Sequence, residues 1–305
     1  MRIASLVPSA TEILFALGLG EDVVAVTHEC DFPPEATDLP QLTRSVIPAG
    51  LAPHEIDAAV RANVGEGRSL YELDEELLRE EEPDLIIAQQ LCDVCAVSFE
   101  DVRAVAERLP SQPRVISLDP ATLGEVLADI RTVASAAEAE SAGEALLQDL
   151  ADRIDDVQIS LRDVGAPDGP ARPAVAAIEW LDPPFVGGHW VPQMIELAGG
   201  ADFLGMPGER SRESSWDELR AAEPEVVVLM QCGYNAAGAA DEALDYAGDL
   251  ARLGARAIFA GDASAYFSRP GPRLIDGVEQ LAFALHPELV EEPASGRMLD
   301  VDLRG

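Results

Sequence analysis

Four cysteines have the spacing and the surroundings of candidate metal ligands. Cys92 and Cys95 form a Cys-x-x-Cys pair, the spacing at which two thiolates bind one zinc ion or iron–sulfur cluster. Cys30 and Cys232 each follow another apolar, strand-like stretch. Together, the four thiolates could hold zinc or an iron–sulfur cluster. The alternatives are a disulfide between Cys92 and Cys95, or reduced thiols that bind no metal.

Aromatic and polar side chains follow the same apolar stretches. Aromatic residues make up only 5% of the chain, so their concentration after strands favours a binding surface for a large, flat, apolar ligand. For each ring, packing in the protein interior is the alternative. The candidate ligand-binding residues are Pro8, Ser9, Glu12, His28, Asp31, Glu179, Trp180, Phe185, His189, Trp190, Tyr234, Tyr266, Phe267 and Arg269.

The elements that must position these residues are short apolar strands alternating with helical patterns. This alternation predicts parallel sheets covered by helices on both faces. Ligands bind beyond the carboxyl ends of such strands, which places the candidates together. The pattern also predicts that Ser9 is the N-cap of the first helix and that 179–185 is a loop. The predicted strands are Arg2–Val7, Val23–Thr27, Leu85–Ala88, Val115–Leu118, Ala174–Ile178, Glu225–Met230 and Ala257–Ala260.

The strand pattern stops between Pro120 and Asp163. Apolar residues there recur at helical spacing, which predicts two helices, or one long helix with a shorter lead-in. The predicted fold class is therefore α/β, with two doubly wound lobes joined by one long helix and a ligand cleft between the lobes. The predicted segments are an N-terminal lobe (1–120), linking helices (121–165), a C-terminal lobe (172–290) and a polar tail (291–305).

The charge is strongly negative. Asp and Glu number 56 against 21 basic residues, all of them arginine, for a net charge of -35. Such a surface repels nucleic acid and anionic lipid, and it suits a high-salt solvent that screens its self-repulsion. The sequence has no apolar run of ~18 residues that would span a membrane. No leader precedes the first strand, which predicts a cytoplasmic location; the alternative is an extracellular or membrane-attached protein whose leader was removed.

The order of several motifs resembles a known family. The motifs are Ser5–Glu12, Asp31–Pro34, Pro83–Ile87, Asp182–Phe185 and Tyr266–Arg273. From residue 2 to about residue 288, the chain resembles the vitamin B12-binding proteins of ABC importers, within the larger class of siderophore and haem binders.

The resemblance implies a solute-binding protein, not an enzyme, that holds a corrinoid (cobalamin) or related large cofactor between two lobes. It would act as the substrate-binding component of an ABC transport system, or as a cytoplasmic relative of one, and as a monomer or weak dimer with an ABC permease as partner. His28 or His189 could ligate the cobalt axially. The alternatives are an iron-siderophore or haem binder, and a cytoplasmic metalloprotein built on the four cysteines.

Overall fold

Two compact units make up the chain. The computed structural model describes residues 1–48, 50, 53–65, 69–89 and 98–303. Unit 1 comprises Met1–Pro120 and Leu127–Leu147, and unit 2 comprises Ala121–Val126 and Gln148–Gly305. The predicted α/β class with parallel sheets is confirmed, and the segment boundaries at 120, 165, 172 and 290 stay predictions.

Unit 1 contains a parallel sheet with the strand order β2-β1-β5-β6 and a separate antiparallel pair, β3-β4. Its elements in chain order are β1 (Ile3–Ser5), α1 (Pro8–Ala16), β2 (Val23–Ala25), β3 (Thr43–Ser45), α2 (Pro53–Gly65), β4 (Tyr71–Leu73), α3 (Glu75–Glu80), β5 (Leu85–Ala88), α4 (Phe99–Ala106) and β6 (Arg114–Ser117).

The inner strands of this sheet are apolar because both of their faces are covered. β1 and β5 are buried along their whole length. The first helix begins differently from the prediction: Val7 is the N-cap, and Pro8 occupies the first helical turn, where the missing N–H costs no hydrogen bond. Ser9 therefore lies inside the helix, and the prediction that it is the N-cap is wrong.

Two helices connect the strand-rich parts of the chain, as the sequence predicted. They are α5 (Leu123–Ala136) and α6 (Glu140–Ser160), and both contribute residues to each unit. α6 is the longer helix, with 21 residues. Gly143 permits α5 and α6 to approach closely, since a Cβ there would lie 2.6 Å from the Cβ of Ala134.

Unit 2 contains a mixed sheet with the order β10-β8-β7-β11-β12-β13, and β9 also pairs with β7. Its elements are β7 (Ala174–Leu181), β8 (Pro184–Val186), α7 (Val191–Leu197), β9 (Ala201–Asp202), β10 (Arg212–Glu213), α8 (Trp216–Ala221), β11 (Val226–Leu229), α9 (Ala236–Asp245), α10 (Ala247–Arg252), β12 (Ala257–Ala260), α11 (Ala263–Tyr266), α12 (Leu274–Leu285) and β13 (Leu299–Asp300).

Two parts of unit 2 differ from the sequence-based prediction. The predicted loop at 179–185 is a hairpin, because β7 continues to Leu181 and pairs antiparallel with β8. The predicted polar tail includes β13, which pairs antiparallel with β12, and Met298 before it is 3% exposed. β8 is only three residues long and β13 only two, so neither has the run or the alternation by which strands are recognised, and both went undetected.

A three-residue ionic cluster joins α6 to α12 within unit 2. Arg153 donates from Nε and Nη2 to the carboxylate of Glu279, at 2.8 and 2.7 Å, and from Nη2 to Asp276 at 2.9 Å. All three side chains are less than one-third exposed. Burial raises the pKa of Asp276, and Arg153 opposes that rise. The guanidinium therefore stabilises two carboxylates that would otherwise repel each other.

We expect Arg153→Ala to lower the free energy of unfolding of unit 2 by about 1–3 kcal/mol, between the values typical of exposed and buried ion pairs. Urea unfolding followed by circular dichroism measures it. The matched control is Arg220→Ala, since the Arg220–Asp217 pair is exposed and its loss costs about 0.5 kcal/mol or less. Equal effects of the two substitutions would contradict this account of the cluster.

Candidate functional site

The loops of unit 2 meet at the carboxyl edge of three parallel strands. β7, β11 and β12 pair in parallel register. Backbone bonds continue past the strands: the N–H of Cys232 donates to the carbonyl of Glu179 at 3.2 Å, and that of Ala263 donates to the carbonyl of Tyr234 at 3.1 Å. The segments that carry Glu179, Tyr234 and Tyr266 are therefore held side by side, as the strand-end rule predicted.

Aromatic rings lie along this edge. Trp180 and Tyr234 make an edge-to-face contact with centroids 6.4 Å apart, and the indole Nε1 of Trp180 donates to the carbonyl of Asp182 at 3.1 Å. Phe185 lies opposite Trp180 in the β7–β8 hairpin. The guanidinium of Arg273 lies 5.8 Å from the ring centroid of Tyr266. These four aromatic residues are half-buried, so part of their surface remains open to a ligand.

Two of the predicted surface aromatics are instead interior residues. Trp190 is 5% exposed and Phe267 is 2% exposed. The indole Nε1 of Trp190 donates to the backbone carbonyl of Phe267 at 2.7 Å, which satisfies the polar atom of a buried ring. The prediction that both rings face a ligand is wrong. Their hydrogen bond joins the turn before α7 to the segment after α11. Arg269, two residues further on, is half-buried.

Glu179 is a half-buried residue of β7, next to Trp180. It accepts hydrogen bonds from the Ser211 hydroxyl and the Gly188 N–H, but burial outweighs these bonds and raises the pKa of Glu179 to about 7. The neighbouring carboxylate of Asp202 raises it further. Gly188 is required here because a Cβ would lie 2.3 Å from the Ser211 nitrogen.

His189 follows this glycine in the left-handed region, with φ at 49°. Its N–H donates to the carbonyl of Glu209 at 2.6 Å, and its ring lies 5.4 Å from that of Trp190. Burial, and then the positive charge of Arg210, lower the pKa of His189. The imidazole is therefore neutral near pH 7, the form in which histidine ligates metals.

The carboxyl edge of the unit 1 sheet contains a buried network of hydroxyls and one thiol. The Thr11 hydroxyl lies 2.8 Å from Ser5 Oγ and 3.0 Å from Cys30 Sγ, and Thr27 Oγ1 lies 3.1 Å from the same sulfur. Pro8, Ser9 and Glu12 lie on α1, as Thr11 does, and are also buried. In this structure they serve as interior residues of the α1 packing.

His28 has a fixed ring orientation at the end of β2. Its Nδ1 lies 2.7 Å from Thr43 Oγ1, and its ring contacts that of Tyr71 with centroids 5.5 Å apart. The Tyr71 hydroxyl donates to Glu29 at 3.0 Å. Such a second layer of contacts is typical of histidines that bind metals. Asp31, three residues further on, is exposed.

The cysteine hypothesis is only partly covered by the structure. Cys92 and Cys95 lie outside the described residues. Cys30 is buried among hydroxyls in unit 1, and Cys232 is exposed in unit 2. Among the described residues, no group of three or more His, Cys, Asp or Glu side chains has the arrangement of a metal site. The four-cysteine zinc or iron–sulfur site stays a prediction.

Several residues that shape the site carry no local sequence signal. Ser211 and Asp202 contact or face Glu179 from the chain beyond the hairpin, and Thr43 and Tyr71 hold His28 from the β3–β4 pair. Each is brought in by contacts across many residues of sequence, so neither spacing nor residue type could identify them.

Residues 3–261 match the family described as "Periplasmic binding protein". Because the match covers most of the chain, the chain belongs to the periplasmic binding protein family. The described residues include no helix that is long and apolar enough to cross a membrane.

Individual relatives agree with this assignment. The chain is 24% identical over 280 residues to the vitamin B12-binding protein of Vibrio cholerae, which covers 92% of this chain and 87% of that protein. Its fold is similar to the apo periplasmic heme-binding protein from Roseiflexus sp. RS-1, with 25% identity, a TM-score of 0.66, and coverage of 94% and 98% of the two chains. The V. cholerae periplasmic vitamin B12 binding protein has the same fold, with a TM-score of 0.65, 21% identity and coverage of 94% and 96%.

The raised pKa of Glu179 predicts a pH dependence of stability. The ordinary value of 4.5 applies to the unfolded chain, and about 7 applies to the folded one. The folded state therefore binds the extra proton, and stability falls as pH rises from about 5 through about 7, by roughly 3 kcal/mol in total. Glu179→Gln, which resembles the protonated form, should lack this fall.

Urea midpoints measured at several pH values between about 5 and about 8, at constant salt, test this prediction. Glu288→Gln is the matched control, since Glu288 is exposed in the same unit, and it should retain the wild-type slope. A Glu179→Gln variant with that same slope would show that the Glu179 carboxyl titrates normally in the folded protein.

Proposed function

We propose that this member of the periplasmic binding protein family binds a corrinoid, with cobalamin as the leading candidate, for an ABC importer. The observation that carries the proposal is the aromatic edge of unit 2, where Trp180 and Tyr234 are in contact and partly open. Flat apolar faces with a few polar groups suit a large ring-shaped ligand. The relationship to the V. cholerae vitamin B12-binding protein over 92% of the chain supports the same ligand.

The proposed ligand contacts are the partly exposed strand-end residues. They include Trp180, Phe185, Tyr234, Tyr266 and Arg269 in unit 2. In unit 1, His28 and Asp31 are the proposed contacts. These residues need only bind the ligand. The proposed role of the protein is to deliver the ligand without changing it chemically. The periplasmic heme-binding and vitamin B12-binding relatives support a location outside the cytoplasm, and an ABC permease is the proposed partner.

Haem is the second candidate ligand. The Roseiflexus relative, at 25% identity, is a heme-binding protein. In this chain, His28 has its Nδ1 engaged by Thr43, which leaves Nε2 as the nitrogen for an iron atom. A haem would therefore be recognised by metal ligation as well as by ring stacking, whereas a cobalamin bound with its axial ligands intact would depend on the aromatic edge.

The two ligands are distinguished by titrating the purified protein with cyanocobalamin and with hemin, followed by absorbance and tryptophan fluorescence. We expect saturable cyanocobalamin binding that Trp180→Ala and Tyr266→Ala each weaken by roughly 5- to 30-fold, the loss of one stacked ring. Trp216→Phe should bind as the wild type does, because Trp216 lies on α8 beside Tyr246 and outside the proposed contact set.

Hemin binding with a Soret band that His28→Ala shifts, and no cyanocobalamin binding, would reassign the ligand to haem. Absence of saturable binding of both compounds, and of a ferric siderophore, would contradict the proposed function.

A further inference from the structure

The segment around β13 is fixed to unit 2 at several points. We call residues 295–303 the β13 segment. Near its start, Ser295 accepts hydrogen bonds from the Nε2 of the buried Gln280 on α12, at 3.2 Å to Oγ and 3.5 Å to the carbonyl oxygen. β13 pairs with β12, and the N–H of Val301 extends this pairing by donating to the carbonyl of Ile258 at 2.9 Å. The side chain of Val301 packs against the apolar core. The β13 segment is therefore part of the folded unit.

Met298 lies where the chain leaves β12. The pairing of Ala260 with Leu299 is antiparallel, so Met298, the residue before Leu299, continues towards Gly261, the first residue after β12. The Met298 side chain is buried, and a Cβ on Gly261 would lie 3.4 Å from its sulfur. Met298 therefore covers the chain at the carboxyl end of the strand, the edge that carries the proposed ligand contacts.

The same space contains the buried ring of Phe267. A Cβ on Gly261 would lie 2.6 Å from Cε2 of Phe267, and a Cβ on Gly277 of α12 would lie 3.2 Å from its Cε1. Two glycines therefore leave room for the ring, which a larger side chain at either position would displace. The Met298 thioether lines this space beside Gly261, and methionine suits such an irregular gap next to an aromatic ring.

The position of Phe267 determines that of its neighbours in the proposed contact set. Tyr266 precedes it and Arg269 follows two residues later. On the β11 side, backbone hydrogen bonds to the carbonyl of Tyr234 hold the start of this segment. On the β13 side, the side chains of Phe267 and Met298 hold it. A change at Met298 should therefore reach the ligand contacts through the Phe267 ring.

We infer that Met298 is a positioning residue for the ligand site, which acts through Phe267 to fix Tyr266 and Arg269 at the carboxyl edge of unit 2. The effect on ligand binding rests on the proposed function, whereas the placement of the segment 262–269 can be measured without a ligand. Removal of the Met298 side chain leaves a gap beside the ring, and the segment 262–269 then opens more often.

Hydrogen exchange of the free protein measures the placement. Met298→Ala should speed exchange in 262–269 roughly tenfold or more, because the segment loses the packing that closes it. Met298→Leu, which nearly conserves the volume, should stay within about threefold of the wild type. Leu219→Ala is the matched control, since Leu219 is a buried apolar residue on α8 of the same unit. Its effect should fall on α8 and not on 262–269.

Gly261→Ala provides a second variant that does not remove Met298. Its Cβ requires space that the Phe267 ring occupies, so it should displace the ring and speed exchange in the same segment, 262–269. This variant keeps the inference testable if Met298→Ala does not fold.

Cyanocobalamin titration measures the connection to the ligand site. Met298→Ala should weaken binding roughly 3- to 20-fold, and most of this loss should disappear in a Tyr266→Ala background, where the contact that Met298 positions is already absent. In a Trp180→Ala background the loss should be retained, because Trp180 lies on β7. A purely structural role would give the same loss in both backgrounds.

Exchange in 262–269 that is unchanged in both Met298→Ala and Gly261→Ala would overturn the inference, as would equal losses of affinity in the Tyr266→Ala and Trp180→Ala backgrounds. A wild-type protein that does not bind cyanocobalamin would contradict the proposed ligand, and the exchange measurement would then decide the inference by itself.

Discussion

The in-register parallel pairing of β7, β11 and β12 is the constraint on which the unit 2 site depends. Because the three strands run in the same direction, the segments that follow them leave the sheet at one edge. The backbone bonds from Cys232 to Glu179 and from Ala263 to Tyr234 extend this order into the loops. Rings from three distant parts of the sequence are thus placed side by side, on a support that is apolar and buried.

Polar groups beneath this edge hold the loops in place. The Glu179 carboxyl joins β7 to Gly188 and to Ser211, and the buried Trp190 indole joins the same turn to the Phe267 carbonyl. Asp202 accepts hydrogen bonds from the N–H groups of Leu204 and Gly205 at 2.8 and 2.9 Å. Each contact satisfies a group that burial would otherwise penalise, so the aromatic edge is held in place by the protein's own hydrogen bonds.

The sequence predicted the sheets and the helices because long apolar runs and helical spacing are local signals. It placed Trp180, Tyr234 and Tyr266 in segments that follow strands. In the structure, Trp180 lies near the end of β7 itself, Tyr234 follows β11, and Tyr266 ends the short helix after β12. It could not show that Trp190 and Phe267 point inward, since the hydrogen bond between them joins residues that are 77 positions apart in the sequence. It missed β13 and the β7–β8 hairpin because strands of two or three residues are too short to show alternation.

The most direct measurement of the central claim, that a corrinoid binds at the carboxyl edges of the sheets, is hydrogen exchange with and without cyanocobalamin. The account predicts slower exchange on ligand addition in the segments 179–190 and 231–236, which follow β7 and β11, and in 26–31 after β2. Exchange at the opposite edge of unit 2, around Glu225 and Arg256, should not change. Protection at that opposite edge, with none at the carboxyl ends, would contradict the account.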